Sequence, residues 1–243
     1  MATLQQIQEL VAEVRQKTNN SSIEFPELFN TGEPKYPIPF FGNLLKAQIF
    51  AVGLNPSKDE FNNREWQNGF SNEILTNRLY NYFSHPHQWF EKWNEVLCEL
   101  DDAPCYAEGH VAHLDISPRA TLSFSSFNEV QAEQFKIMLQ RDIAWLFQIL
   151  AKFVNPKLIL VAGTASETEY LDDLISKYAG SYAFKLTSRM NVHGIKCRRW
   201  KLEGHGKSMP VFFSGSSPSN RKNPERLLEN VRMNTDLLNG FLI

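Results

Sequence analysis

The stretch Ala47-Gln-Ile-Phe-Ala-Val-Gly-Leu-Asn-Pro-Ser57 decides the fold class. A near-continuous apolar run is closed by Gly53, Pro56 and Ser57, as a strand buried on both faces requires; a half-buried strand would alternate. Three more runs of this kind follow, Val111 to Ile116, Lys157 to Ala162 and Pro210 to Phe213, each ended by Gly, Pro or Ser. Helical spacing fills the intervals. Trp89, Phe90, Trp93, Val96, Leu97 and Leu100 mark one helix, and Phe135 to Phe153 a longer one that ends at Asn155-Pro156. Ser166 and Glu169 form an S-x-x-E capping box ahead of Leu171, and Asn223-Pro224 opens a last helix. Upstream, Leu4, Ile7, Leu10, Val11 and Val14 predict an amphipathic helix over the first seventeen residues, followed by an irregular stretch from Thr18 to Phe41. Strands alternating with helices imply a single α/β domain over 1–243 with a central, mainly parallel, four-stranded sheet; 1–36 form a helix and an irregular extension.

A chain of 243 residues and 28.0 kDa can bury one large core without disulfide or metal. Its 42% hydrophobic and 21% charged residues exclude a disordered or fibrous protein. The net charge of −2 argues, as an average, against a protein that coats nucleic acid. The average conceals an asymmetry: Lys185 to Ile243 carry 11 Lys/Arg and 4 Asp/Glu, a balance of +7, leaving −9 for the rest. Such a segment is either a localised anion-binding face or a solvated charge run. Three cysteines without C-x-x-C spacing disfavour a disulfide framework, a four-cysteine zinc site and a four-cysteine iron–sulfur cluster. With no signal-peptide pattern and no apolar run near 18 residues, the expected location is cytoplasmic, away from membranes.

In open α/β sheets ligands bind beyond the carboxyl ends of the strands. That directs attention to Gly53-Leu-Asn-Pro-Ser57, Asp115-Ile-Ser-Pro118, Gly163-Thr-Ala-Ser166 and Ser214-Gly-Ser-Ser-Pro-Ser-Asn220. Gly204-His-Gly-Lys-Ser208 imitates the end of a phosphate-binding loop, but Lys201 stands where the pattern needs glycine and a strand follows instead of a helix. His110 and His113, three apart, face opposite sides of a strand and do not converge on a metal. His113 and Asp115, two apart, share a face, although His113 alone also reads as a core histidine. No G-x-S-x-G elbow is present and no histidine follows His205, which excludes the order of an α/β-hydrolase triad.

Gly53-Leu-Asn-Pro-Ser57 after the first strand and Ser216-Ser-Pro-Ser-Asn-Arg221 after the last resemble the two active-site motifs of the uracil-DNA glycosylase superfamily, nearest its mismatch-specific and single-strand-selective branches. Asp115-Ile-Ser-Pro118 and Leu160-Val-Ala-Gly-Thr-Ala165 are similar to its intervening strand ends, so the resemblance spans roughly Pro37 to Leu238. It implies a three-layer α/β/α sandwich and a monofunctional enzyme of DNA repair. No metal or other cofactor is implied, and the partner would be DNA carrying a deaminated or damaged base, met by a monomer.

The resemblance implies that Asn55 holds the hydrolytic water, which an amide can orient but cannot deprotonate. Gly53, Leu54, Pro56 and Ser57 would line the base pocket, and an aromatic shortly after would stack on the flipped base: Phe70, or else Phe61 or Trp66. Ser216, Ser217, Ser219, Asn220, Arg221 and Lys222 would press on the DNA backbone, joined by Arg189, Lys196, Arg198, Arg199 and Lys201 of the basic segment. Two positions depart from the pattern. Gly215 stands where many members have the histidine that stabilises the departing base, leaving His113, His193 or His205 as replacements. Asp115 stands where uracil-specific members have asparagine, so it either reads a base that offers two donors, is protonated, or acts as general base. Other readings are a non-catalytic relative that binds a base or nucleotide, and a small-molecule hydrolase using His113 and Asp115.

Overall fold

The computed structural model describes residues 3–29, 37–56, 61, 66, 70–84, 88–98, 106–121, 126–154, 156–164, 169–192 and 194–216. Helices α1 (Leu4–Thr18) and α2 (Ser21–Glu24) precede strand β1 (Ile49–Gly53). Then come α3 (Asn72–Tyr80), α4 (Gln88–Cys98), β2 (Val111–Asp115), α5 (Glu129–Lys152), β3 (Leu158–Ala162) and α6 (Leu171–Lys177). Strands β4 (Ala183–Val192), β5 (Ile195–Gly204) and β6 (Lys207–Ser214) close the described chain.

The sheet is mixed and six-stranded, in the order β2-β1-β3-β6-β5-β4. The four strands expected from the apolar runs are all present and mutually parallel. The expectation of a four-stranded sheet was nonetheless too small: β4 and β5 form an antiparallel hairpin on the β6 edge. Its side chains are only half covered, so Phe184, Leu186 and Met190 alternate with exposed Lys185, Thr187 and Arg189 and no continuous apolar run announces them. Strand β6 also extends back to Lys207, because its first half pairs only with β5. The turn joining those strands is Gly204-His-Gly-Lys207, with positive φ at His205 (50°) and Gly206 (74°), a two-residue hairpin of the primed type rather than a phosphate loop.

Every residue of β1, β2 and β3 is buried, so both faces of this part of the sheet are covered. Helix α1 buries Ile7, Leu10, Val11 and Val14 on one stripe, as its spacing predicts, and starts with a capping box between Thr3 and Gln6. Helix α5 starts earlier than its apolar periodicity because Asn128 and Gln131 form a second such box. Helix α6 has Tyr170 as its N-cap with no side-chain cap bond, and Glu169 pairs with Lys177 instead. The expected Ser166–Glu169 box therefore does not start it; Ser166 itself, and the helix expected from Asn223, lie outside the described residues. Chain exits from β1 toward β2 and from β3 toward β6 run in opposite directions, which opens a crevice at their carboxyl ends.

Candidate active site at the carboxyl ends of the strands

The register aligns Asp115 with Gly53 at the ends of β2 and β1, and Ala162 with Ser214 at the ends of β3 and β6. Beyond this row the ladder continues into the loops: Ile116 N donates to Gly53 O, Ser117 N to Leu54 O and Thr121 N to Pro56 O. Asn55 sits inside this zipper. Its Nδ2 donates to Pro56 O (3.1 Å), Arg119 O (3.2 Å) and Thr121 Oγ1 (2.8 Å). Carbonyl oxygens only accept, so the surroundings fix which end of the amide is nitrogen. Oδ1 therefore points the other way, and it has no hydrogen-bond partner among the described residues. An aspartate here would set a carboxylate oxygen against two carbonyls; the pocket specifies asparagine.

Gly53 is required by close approach. A Cβ on it would lie 2.5 Å from Asp115 Oδ1 and 2.9 Å from His113 Nε2. Those two side chains, both buried, meet across Gly53 with Nε2 and Oδ1 3.3 Å apart. With the proton on Nε2 the imidazole donates, and Asp115 is held as an acceptor with Oδ2 still to use. His113 is walled by the rings of Phe41, Phe90 and Trp93. The shared face read from the sequence is thus occupied by a real pair, and His113 is also a core histidine.

Beneath the loop runs a buried polar network. Ser117 Oγ (2.6 Å) and Arg119 Nε (2.9 Å) both donate to Asp142 Oδ2 on α5, while Arg119 Nη1 reaches Ser21 Oγ (2.6 Å) and Glu24 Oε2 (3.0 Å). Burial pushes the Asp142 carboxyl above its usual range, against the opposing pull of Arg119. Arg119 thus ties α2, α5 and the loop behind Asn55 into one unit. Neither Arg119 nor Thr121 stood out in the sequence, since their importance comes from partners distant along the chain.

At the end of β6, Ser214 and Ser216 are buried, and Ser216 N donates to Ser214 Oγ (3.3 Å). A side chain at Gly215 would be crowded: its Cβ would lie 3.0 Å from Tyr170 Cε1 and 3.3 Å from Lys196 O. Tyr170 is held by a bridge to Thr164 and an edge-on contact with Phe213. His205 does not approach Gly215, because it sits in the hairpin turn at the opposite end of β6 and contacts Ser181. His193, Ser57, Ser217, Ser219, Asn220, Arg221 and Lys222 lie outside the described residues.

The basic residues of β4 and β5 do not act together. Arg198 is bound by Asp172 (2.7 Å) and Asp173 (2.7 Å) of α6, and Lys201 and Lys185 share Glu203. Arg199 faces the other side of the sheet, beside Phe212, and burial lowers its pKa. Arg189 and Lys196 remain exposed on the Arg198 face, and Lys196 Nζ lies 5.0 Å from the Tyr170 ring centroid.

The candidate stacking rings form a chain that begins at the buried pair. Phe41 touches His113 (5.9 Å), Phe61 touches Phe41 (5.9 Å), Trp66 touches Phe61 (4.9 Å) and Phe70 touches Trp66 (6.2 Å). Phe70, the ring the spacing favours, is the farthest along and already carries the Arg78 guanidinium 4.4 Å from its centroid. Of the three candidate rings, Phe61 is the one in contact with Phe41, the ring packed against His113.

Among the described residues no group of three or more His, Cys, Asp or Glu is placed to hold a metal ion, and no helix is long and apolar enough to cross a membrane. Comparison of the chain with protein-family models, with curated proteins and with solved structures finds no match.

Proposed function

We propose that this chain is a monofunctional DNA glycosylase that hydrolyses the N-glycosidic bond of a flipped deaminated or damaged base. The observation that carries the reading is the Asn55 amide. Its nitrogen is spent on three protein acceptors, so its oxygen is left to accept a hydrogen bond from a water at the mouth of the crevice. Breaking a glycosidic bond develops positive charge on the sugar and negative charge on the base, so a site needs an oriented water and, opposite it, donors. Asp115, fixed by His113 beside Gly53, either reads donors on the base edge or takes the proton of the water. Phe61 is the best-placed ring to stack on the base, in preference to Phe70. Among the described residues of β4 and β5, Arg189 and Lys196 are exposed cations that would meet phosphates. The six-stranded sheet contains the parallel set β2-β1-β3-β6 that a three-layer glycosylase-like sandwich would use.

The test is incubation with labelled oligonucleotides carrying uracil, hypoxanthine, xanthine or a thymine mismatch, followed by alkali, with Asn55→Ala as control. Strand breaks made by the wild type and lost in the variant support the proposal. Salt-sensitive DNA binding with no abasic site from any substrate would refute it and leave a non-catalytic binding protein, the reading that the absent side chain at Gly215 favours.

A further inference from the structure

We infer that Tyr170 carries the charge-stabilising role for which Gly215 has no side chain, by donating a hydrogen bond from its phenol to a carbonyl oxygen of the departing base. The inference rests on the glycosylase reading. The ring already fills the space a residue 215 side chain would take, and its nearest atom is Cε1 (3.0 Å), with Cδ1 farther off at 3.5 Å. The Cδ1–Cε1 edge of the ring therefore faces Gly215, with the hydroxyl two bonds beyond Cε1. That hydroxyl makes no hydrogen bond among the described residues and is not sealed in the core.

Its surroundings suit an oxygen that must meet negative charge. Lys196 Nζ and Arg198 Cζ lie 5.0 and 5.2 Å from the ring centroid. Arg198 is paired with Asp172 and Asp173, whereas Lys196 is exposed and makes no ion pair among the described residues. The backbone fixes the ring: Tyr170 bridges Thr164 at the end of β3, and Leu171 N donates to Gly163 O (3.3 Å).

Placement relative to Asn55 is also right for the chemistry. Asn55 follows β1 and Gly215 follows β6, with β3 between them, so two strand spacings, about 10 Å, separate the two sides. A sugar and its base fit across that distance, with the water on one side and the leaving base on the other. The C1′–N bond breaks with its electron pair going to the base, the water oxygen bonds to C1′, and the surplus proton neutralises the released base through solvent. Tyr170 keeps its own proton throughout.

The test compares wild type with Tyr170→Phe, which retains the ring and its packing, on single-turnover release of uracil and of 5-fluorouracil from otherwise identical oligonucleotides. The fluorinated base bears negative charge more readily and has less need of a donor. Loss of a preorganised donor predicts a rate reduced about 100-fold for uracil but several-fold less for 5-fluorouracil, with DNA affinity and Tm unchanged. An active wild type whose Phe variant is unimpaired, or equally impaired on both bases, overturns this role alone. A wild type that releases neither base, nor any base of the panel above, overturns the glycosylase reading and this inference with it.

Discussion

Asp172 has no accessible surface, and its carboxyl oxygens accept from Arg198 Nη2 (2.7 Å) and Trp200 Nε1 (2.7 Å). Burial raises its pKa from 3.8 to about 6; Arg198 and the indole oppose the shift, and neighbouring Asp173 adds to it. A carboxylate whose folded pKa exceeds its unfolded one holds its proton more tightly in the fold. The associated stability is therefore full below pH 3.8 and is lost as the pH rises through 6. The rise from 3.8 to about 6, at 1.36 kcal/mol per pH unit, amounts to about 3 kcal/mol, of which roughly 2 to 2.5 falls between pH 4 and 7.5. The assay is urea denaturation of wild type and Asp172→Asn across that range, since the amide keeps an acceptor for Trp200 and does not ionise. Losing the counter-charge to Arg198 adds a nearly constant offset, so the informative quantity is the pH slope of the difference. The variant should gain on the wild type by roughly 2 kcal/mol or more as the pH rises to 7.5. A difference that is flat in pH, or that runs the other way, would refute the assignment of burial as the dominant influence on Asp172.

Asn55→Asp turns a carboxylate oxygen toward two carbonyls and should cost roughly 2–4 kcal/mol in urea denaturation at pH 7; an unchanged midpoint would show that the amide is not oriented as described. Gly53→Ala drives a methyl group into Asp115 and His113, and a loss of about 1–3 kcal/mol is expected, with Tm as the readout. Arg119→Met strands the buried Asp142 carboxylate and should cost roughly 3–5 kcal/mol, much of which the double variant Arg119→Met, Asp142→Leu should recover; equal single and double costs would contradict this. If the chain binds DNA, Arg189→Ala and Lys196→Ala should each reduce the slope of log K against log salt by about 0.9 for each phosphate contact removed, while Lys201→Ala, tied to Glu203, should leave it unchanged.

The sequence by itself determined the four parallel strands, the helix over Leu4–Thr18 and the strand ends with their following turns at Gly53 to Pro56, Asp115 and Ser214 to Ser216. These were legible because burial on both faces, helical spacing and turn chemistry are written in neighbouring residues. It also paired His113 with Asp115, since residues two apart on a strand share a face. Only the tertiary structure decided which way Asn55 points, through Thr121 and Arg119, which lie 66 and 64 residues away. The hairpin of β4 and β5 escaped notice because a half-covered edge carries no continuous apolar run. The +7 of the C-terminal quarter could not be read as a surface either, because Arg198 finds its counter-charges at Asp172 and Asp173, in the acidic part of the chain. Gly215 offers no side chain in the sequence, and only the fold shows that the Tyr170 ring lies against it. Apolar patterns report local burial, whereas the worth of a charge, an amide or an absent side chain depends on partners that only chain folding brings within 3 or 4 Å.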